Sequence, residues 1–276
     1  MTEAVGHHKL VTRYSLVAGV VCDTALHVGT STTGDPFGAS DLPVARDGLN
    51  RPFIPGSSFR GVLRSGLESL LRGLEAPGVR VCDPFETDSE NDELSCSERT
   101  NARRKAAKSD AVGMTEARAF EFAWEESCEV CRLFGQLFLA SRIRVSDLAL
   151  VSNDTRTYVR DGVGLDRDLR TAAHGILYNF EAVPAGARFE LRMEIENAAP
   201  HEMGLILTGL ELFGEGFLAV GGKSARGLGL TRVEALRLTR RTAQDFFAGT
   251  GKEPLAAEEL DALRAAARQH YVAGGE

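Results

Sequence analysis

From Tyr14 the chain alternates, with Tyr14, Leu16, Ala18 and Val20 on one side and Ser15, Val17 and Gly19 on the other. A period of two predicts a half-buried strand, and Cys22 continues its even face. A second alternation sets Phe189, Leu191, Met193 and Ile195 against Glu190, Arg192 and Glu194, and Arg142 to Leu150 reads as a third strand. Phe59, Val62, Leu63, Leu67, Leu70, Leu71 and Leu74 recur at the spacing that keeps one apolar stripe on a helix. Pro55-Gly56 forces a turn just before that helix, Ser57-Ser58 offers a cap, and Pro77-Gly78 follows its end. Met203 to Phe213 is apolar enough for a buried helix, and Leu255 to Tyr271 reads as an Ala-rich, peripheral C-terminal helix. Strands of this kind with two core helices predict an α+β fold, helices stacked on one face of an antiparallel sheet around a ferredoxin-like core.

Polar stretches interrupt this pattern. Thr24 to Asp47 is rich in Gly, Ser, Thr, Asp and Pro and predicts a long surface loop carrying His27, Asp35, Asp41 and Asp47. Residues 83–127 read as an insertion, acidic first and then basic at Arg99, Arg103, Arg104, Lys105 and Lys108, with weak apolar periodicity until Phe120. Asn153 to Asn179 is polar and rich in Arg and Asp, and Gly214 to Gly229 is a glycine-rich loop whose backbone can approach a ligand closely.

Composition narrows the picture. With 276 residues and 43% hydrophobic content the chain can bury a substantial core. Neither an apolar run near the ~20 residues that span a bilayer nor a signal-like start is present, so a cytoplasmic protein with no membrane partner is expected. The net charge of −7 argues against coating nucleic acid by bulk attraction, so any such contact must be local. The acids are segregated, with Asp83, Glu86, Asp88, Glu90, Asp92, Glu93 and Glu98 in one run. Five cysteines in a reducing compartment point to metal binding before disulfides.

Four groups carry candidate chemistry. Ser57, Ser58 and the first-turn amides form a candidate anion site, with Arg60 and Arg64 one turn apart on the same face; a capped helix with two solvated arginines is the plainer alternative. Gly222, Lys223, Ser224 and Arg226 offer amides and cations to consecutive phosphates, or simply a flexible connector. The spacing from Gly216 to Lys223 does not meet the nucleotide-hydrolase pattern. Asp41, in Ser-Asp-Leu-Pro, is either a turn residue or a carboxylate that accepts a proton or orients a divalent ion. Cys82, Cys96, Cys128 and Cys131, the last two in a Cys-x-x-Cys knuckle, form a pattern suited to a structural Zn2+, a redox pair being the competing reading.

Three segments together resemble the RAMP superfamily, specifically the backbone subunits of type III CRISPR effector complexes. They are Leu26-His27-Val28-Gly29 with Asp41-Leu42-Pro43-Val44-Ala45-Arg46-Asp47 and Ile54 to Arg64; Gly164-Leu165-Asp166-Arg167 with Thr171-Ala172 and Phe180 to Ala187; and Gly221 to Gly229. The resemblance covers residues 10 to 233 and implies an RRM-like palm over 1–233 with a thumb hairpin at about 153–175; the insertion at 83–127 is read from the cysteines in and beside it as zinc-binding, and residues 234–276, outside the resemblance, as a C-terminal extension. The resemblance further implies guide (crRNA) binding by His27, Ser57, Ser58, Arg60, Arg64, Arg167, Gly222, Lys223, Ser224 and Arg226. Asp41 falls where the family's target-cleaving aspartate stands, implying metal-dependent (Mg2+ or Mn2+) cutting of single-stranded target RNA at regular intervals. Arg156, Arg160, Arg167 and Arg170 would grip the backbone beside a thumb that flips one nucleotide. Implied partners are crRNA, target RNA, copies of the same chain in a filament and other type III CRISPR subunits. A non-catalytic guide-binding scaffold and a stand-alone guide-processing endoribonuclease of the same superfamily are the rival readings.

Overall fold

In the computed structural model, which describes residues 6–30, 40–86, 94–107, 115–152, 156–165 and 168–272, the elements run in the following order. First come β1 (Thr12–Cys22), β2 (Phe53–Ile54), α1 (Gly56–Leu74), α2 (Cys96–Ala107), α3 (Glu116–Glu126) and α4 (Glu129–Phe134). Next are β3 (Ile143–Val145), β4 (Leu148–Leu150), β5 (Tyr158–Leu165), β6 (Ala172–Ala182) and β7 (Arg188–Glu196). Last come α5 (Pro200–Gly214), β8 (Thr231–Thr242), α6 (Ala243–Ala248) and α7 (Ala257–Tyr271).

The main sheet is antiparallel in the order β2-β4-β7-β1-β8, with β3 also on β7. Its core face is the alternation read from the sequence: Leu16 lies opposite Met193, Ala18 opposite Leu191 and Val20 opposite Phe189, all buried. Helices α1 and α5 share that core, Phe59 stacking on Phe213 with ring centroids 4.8 Å apart. The succession β1-α1-β4-β7-α5-β8 therefore has the split βαβ connectivity. On the other face several arginines are matched by carboxylates: Arg13 Nε donates to Glu194 Oε2 at 2.7 Å, Arg192 Nε to Glu190 Oε2 at 2.8 Å, and Arg188 Nη1 to Glu234 Oε2 at 2.9 Å. Such neutralised rows make a poor track for phosphates.

Several expectations change. The Arg142 to Leu150 segment is two short strands, because Asp147 turns away to accept the Gly56 N–H at 2.8 Å. That bond, not a serine, supports the start of α1: the residue at the cap is Pro55, with no side-chain cap bond. The weakly periodic insertion contains the helices α2 and α3, held by Arg99 and Arg103 on Glu126 and by Arg103 over the Phe122 ring at 4.2 Å. Thr24 to Asp47 is not wholly a surface loop, since Leu26, Val28, Val44 and Ala45 are buried and isolated bridges join Leu26 to Val183 and Gly29 to Val44. Beyond residue 233 the chain completes β8, which pairs with β1 as far as Thr242. Helix α7 then docks on α5, where Gly204 allows the approach; a Cβ there would stand 2.1 Å from Leu263 O. Leu263, Ala267 and Tyr271 are buried in that contact, so the tail helix forms an outer layer integral to the core. Cys22 is buried as expected, and burial pushes its thiol up to about 12.

Candidate functional site

Strands β5 and β6 form a separate two-stranded hairpin whose base rests on the sheet domain. Its end near Tyr178 to Ala182 is where three segments distant in sequence meet. Phe180 and Ala182 pack with Leu228 in a small satellite cluster, flanked by Ala25 and Tyr178. Leu228 belongs to the glycine-rich loop, so this cluster fixes that loop against β6.

The loop is shaped by close backbone approach. Gly221 adopts φ +81° and passes the 25–28 segment so tightly that a Cβ would lie 2.3 Å from His27 O. Only glycine tolerates both conditions. Gly222 N donates to His27 O at 2.8 Å, and the Arg226 and Gly227 amides donate to Lys223 O and Ser224 O within a single helical turn at Ser224–Arg226. These three amides are thus committed to fixing the loop, and Arg226 points outward beside the half-buried Lys223. Lys223 Nζ lies 4.7 Å from the Tyr178 ring centroid and 5.5 Å from Phe180, Arg226 is 5.6 Å from Tyr178, and Arg160 of β5 is 6.0 Å from Phe180. Ser224 and Arg226 are exposed. The result is an aromatic and cationic ledge, chemistry suited to stacking bases beside a phosphate backbone.

Asp41 is exposed at the same strand. Its N–H donates to Asn179 Oδ1 at 2.7 Å, and its Oδ2 accepts from Asn179 N at 2.8 Å. Beside it Leu42 O receives the Glu181 N–H at 3.0 Å. Glu181 in turn accepts the Val44 N–H at 3.0 Å and bonds to Arg46 Nη2 and Thr157 Oγ1. Burial pushes the Glu181 carboxyl up, but the bonds from Thr157, Val44 and Arg46 outweigh it and hold the group below its ordinary value. His27 is 6% exposed, with Nδ1 2.7 Å from Glu181 O and its ring edge-on to Phe180. Its observed place is that of a strut between the loop and β6. The rival carboxylate Asp47 is a turn staple, accepting from the Leu49 and Arg51 amides and from Arg51 Nε at 2.9 Å each. Asp35 and Arg167 lie outside the described residues.

Arg60 and Arg64 are not on an open face. Arg60 is half-buried, bonding to Phe134 O and to Ser141 Oγ at 3.1 Å. Arg64 donates to Glu68 Oε1 at 2.8 Å, Gly135 O at 3.2 Å and Cys131 Sγ at 3.4 Å. The two share one face of α1, as their spacing predicts, but α4 and the segment after it cover that face. Ser57 is exposed and Ser58 half-buried in the first turn of α1. Tyr178 and Asn179 carry no sequence signal of their own, since nothing local announces an Asn that answers an Asp 138 positions away, and Glu181 stands in a resembling segment that does not announce its partners.

Arg64 instead borders a cluster of four cysteines that could hold a metal ion. Cys82, Cys96, Cys128 and Cys131 are all buried, with sulfur atoms within 4.8 Å of one another. Cys82 and Cys131 sulfurs stand 3.6 Å apart and Cys82 and Cys128 3.8 Å. Four Zn–S bonds of about 2.3 Å in a tetrahedron require S–S separations of about 3.8 Å, and a disulfide about 2.05 Å. The spacing fits a metal such as zinc. Cys128 N–H also donates to Cys96 Sγ at 3.1 Å, the kind of support that thiolate ligands receive. Hydrogen bonds from Cys131, Cys82 and Cys96 hold the Cys128 thiol far below its ordinary value, and bonds to Cys128, Cys82 and Cys96 drive Cys131 up.

No helix among the described residues is long and apolar enough to cross a membrane. The chain is 23% identical over 253 residues to the CRISPR system Cms endoribonuclease Csm3 of Methanothermobacter thermautotrophicus, covering 88% of this chain and 92% of that protein. It is 23% identical over 264 residues to the Csm3 endoribonuclease of Methanocaldococcus jannaschii, covering 90% and 89%. It is 25% identical over 232 residues to that of Streptococcus thermophilus, covering 80% and 87%. The family model of the RAMP superfamily matches residues 20–232, a span that runs from the end of β1 through the hairpin and the glycine-rich loop into β8. This chain belongs to the RAMP superfamily.

Proposed function

We propose that the chain is a backbone subunit of a type III CRISPR effector complex that holds crRNA along the ledge at the hairpin base and cleaves the paired target RNA at Asp41. The observation that carries this reading is the convergence of Asp41, Lys223 and Arg226 on one short stretch of β6, Tyr178 to Glu181. Lys223, Ser224 and Arg226 would contact the guide backbone, while Tyr178 and Phe180 give the cations and bases a flat apolar surface. His27 and Gly222 act beneath that surface by fixing the loop. The β5–β6 hairpin is the thumb: Leu169 and Leu177 are each 73% exposed, apolar side chains of the kind that wedge between bases. Arg156, Arg160 and Arg170 belong to the same hairpin region. The kink so produced would hand one strained linkage to Asp41 of the adjacent copy in a filament.

At that linkage Asp41 accepts the 2′-hydroxyl proton as the oxygen attacks phosphorus and the P–O5′ bond breaks; the 5′ oxygen leaves with a proton from water, and the other product carries a 2′,3′-cyclic phosphate. Among the described residues Asp41 belongs to no group of three or more metal-ligating side chains. A Mg2+ or Mn2+ ion there would rest on one carboxylate with RNA phosphate oxygens and water, an arrangement this ion accepts, and would neutralise charge on the phosphate. The four cysteines hold a structural Zn2+ that ties the insertion to α4. The pairing of Asp41 Oδ2 with Asn179 N favours one alternative, a guide-binding scaffold in which the carboxylate only closes a turn.

The two are separated by assembling the complex with Asp41→Ala subunits and a complementary RNA in magnesium. The nuclease reading expects regularly spaced cuts to fall by about 10²–10⁴-fold with target binding retained. Undiminished cutting rules out Asp41 as the cleaving residue, and target binding with no spaced cuts by the unaltered complex leaves the scaffold reading.

A further inference from the structure

A second cluster of ligating side chains sits away from the RNA ledge, where three helices meet. Glu129 is the first residue of α4, His201 the second of α5, and His270 lies in the last turn of α7. Their candidate ligand atoms all lie within 4.8 Å of one another. The imidazoles of His201 and His270 are stacked, with centroids 3.9 Å apart and planes at 22°. The three side chains line a cleft of about 360 Å³ between the tail helix and the core.

We infer that Glu129, His201 and His270 form a binding site for a zinc-class divalent transition ion that bolts the C-terminal helix to the cysteine-bearing α4. Two imidazoles and one carboxylate suit such an ion and leave a coordination position open to water. The charges permit it. Arg142 is committed to Glu202 in a buried bidentate pair, with the Nη1 bond at 3.0 Å, while Arg132 stands 3.6 Å from Glu129. The two cations and two carboxylates cancel, so an arriving ion meets no net positive field.

A second observation points to an occupant. Tyr271 is only 3% exposed, and its phenol oxygen faces the Glu129 carboxylate without completing a well-formed hydrogen bond. Its ring packs edge-on against His270 at 4.7 Å and His201 at 6.0 Å. A buried hydroxyl left short of a well-formed bond is costly, and a water on the open position of a bound ion would complete it while the phenol orients Glu129. Bonds of about 2.1 Å need ligand atoms about 3.4 Å apart, so the site closes by rotation of the exposed His270 ring out of its stack.

The test counts zinc on untagged full-length protein incubated with excess zinc chloride and then desalted. Wild type is expected to retain one equivalent more than His270→Ala or His201→Ala. Because the reading is this difference, it does not depend on what the cysteine cluster holds. His270 is exposed, so its removal leaves the fold intact, and circular dichroism in chelator verifies that. Hydrogen exchange supplies the second readout: added zinc is expected to slow amides of residues 257–271 in wild type and not in His270→Ala. Equal zinc content in wild type and both variants, or tail exchange indifferent to zinc, overturns the inference.

Discussion

Asp41 and Asn179 answer each other across 138 positions of sequence: the Asp41 amide donates to the Asn179 side chain at 2.7 Å, and the Asn179 amide donates to the Asp41 carboxylate at 2.8 Å. Two bonds closing one ring leave the carboxylate little freedom to swing. If that fixed orientation serves proton transfer, Asn179→Ala removes one bond, keeps the other and lets Asp41 wander. Target cleavage is then expected to fall by about tenfold or more with guide affinity unchanged, since small displacements of a positioned group are costly. Single-turnover cleavage by reconstituted complexes measures this, and an unchanged rate would show that the ring only shapes a turn.

Lys223 and Arg226 lie over the Tyr178 ring at 4.7 and 5.6 Å. If both neutralise guide phosphates, Lys223→Ala with Arg226→Ala weakens guide binding. The slope of log affinity against log salt then falls by roughly 0.7 for each phosphate of single-stranded RNA that is no longer neutralised. Weaker binding with the slope unchanged would assign these residues to loop packing instead.

How much of this was legible in the sequence depends on what holds each part together. Strands β1 and β7 and helix α1 bury one face each, so their side chains repeat at the period of the element, as at Leu16, Ala18 and Val20, whereas α5, buried nearly all round beneath α7, shows as an almost unbroken apolar run. Helices α2 and α3 have no such stripe. Cys96 in the cysteine cluster and the arginines on Glu126 hold them, and neither leaves a periodic trace. The site divides the same way. Asp41 and the Lys223 loop could be read as short motifs, whereas the partners that position them, Asn179, Glu181 and Tyr178, come from β6 and are set by tertiary pairing. Spacing put Arg60 and Arg64 on one face, but it could not say that residues some 70 positions later would cover it.

Glu181 gives the hairpin base a pH dependence. Its folded value is depressed below the ordinary 4.5 because the bonds from Thr157, Val44 and Arg46 favour the charged form despite burial. A depressed carboxylate contributes stability that is complete above the unfolded value and disappears as pH falls through the folded one. Glu181→Gln is therefore expected to lose about 1–2 kcal/mol at pH 7, with the gap to wild type narrowing below pH about 4.5. Denaturant melts of both proteins from pH 3 to 7 check this, and a gap constant with pH would mean that charge plays no part.

Arg64 decides between two accounts of the first helix. One makes it a phosphate contact; the observed geometry instead places its Nη2 3.4 Å from Cys131 Sγ and its Nε 2.8 Å from Glu68. A guanidinium donating to a sulfur ligand stabilises the thiolate and fixes its direction, and outer partners of that kind are typically worth 10–100-fold in metal affinity. Its other bond, to Gly135 O at 3.2 Å, ties α1 to the end of α4 just beyond the Cys-x-x-Cys pair, so the same side chain braces the knuckle mechanically. Arg64→Met keeps most of the apolar stem and removes every donor. The expected result is a roughly 10–100-fold faster loss of zinc to a competing chelator, with the salt slope of guide binding unchanged. The opposite pattern, zinc retained and the slope reduced by roughly 0.7, would return Arg64 to the RNA track and require α4 to move away from it in the assembled complex.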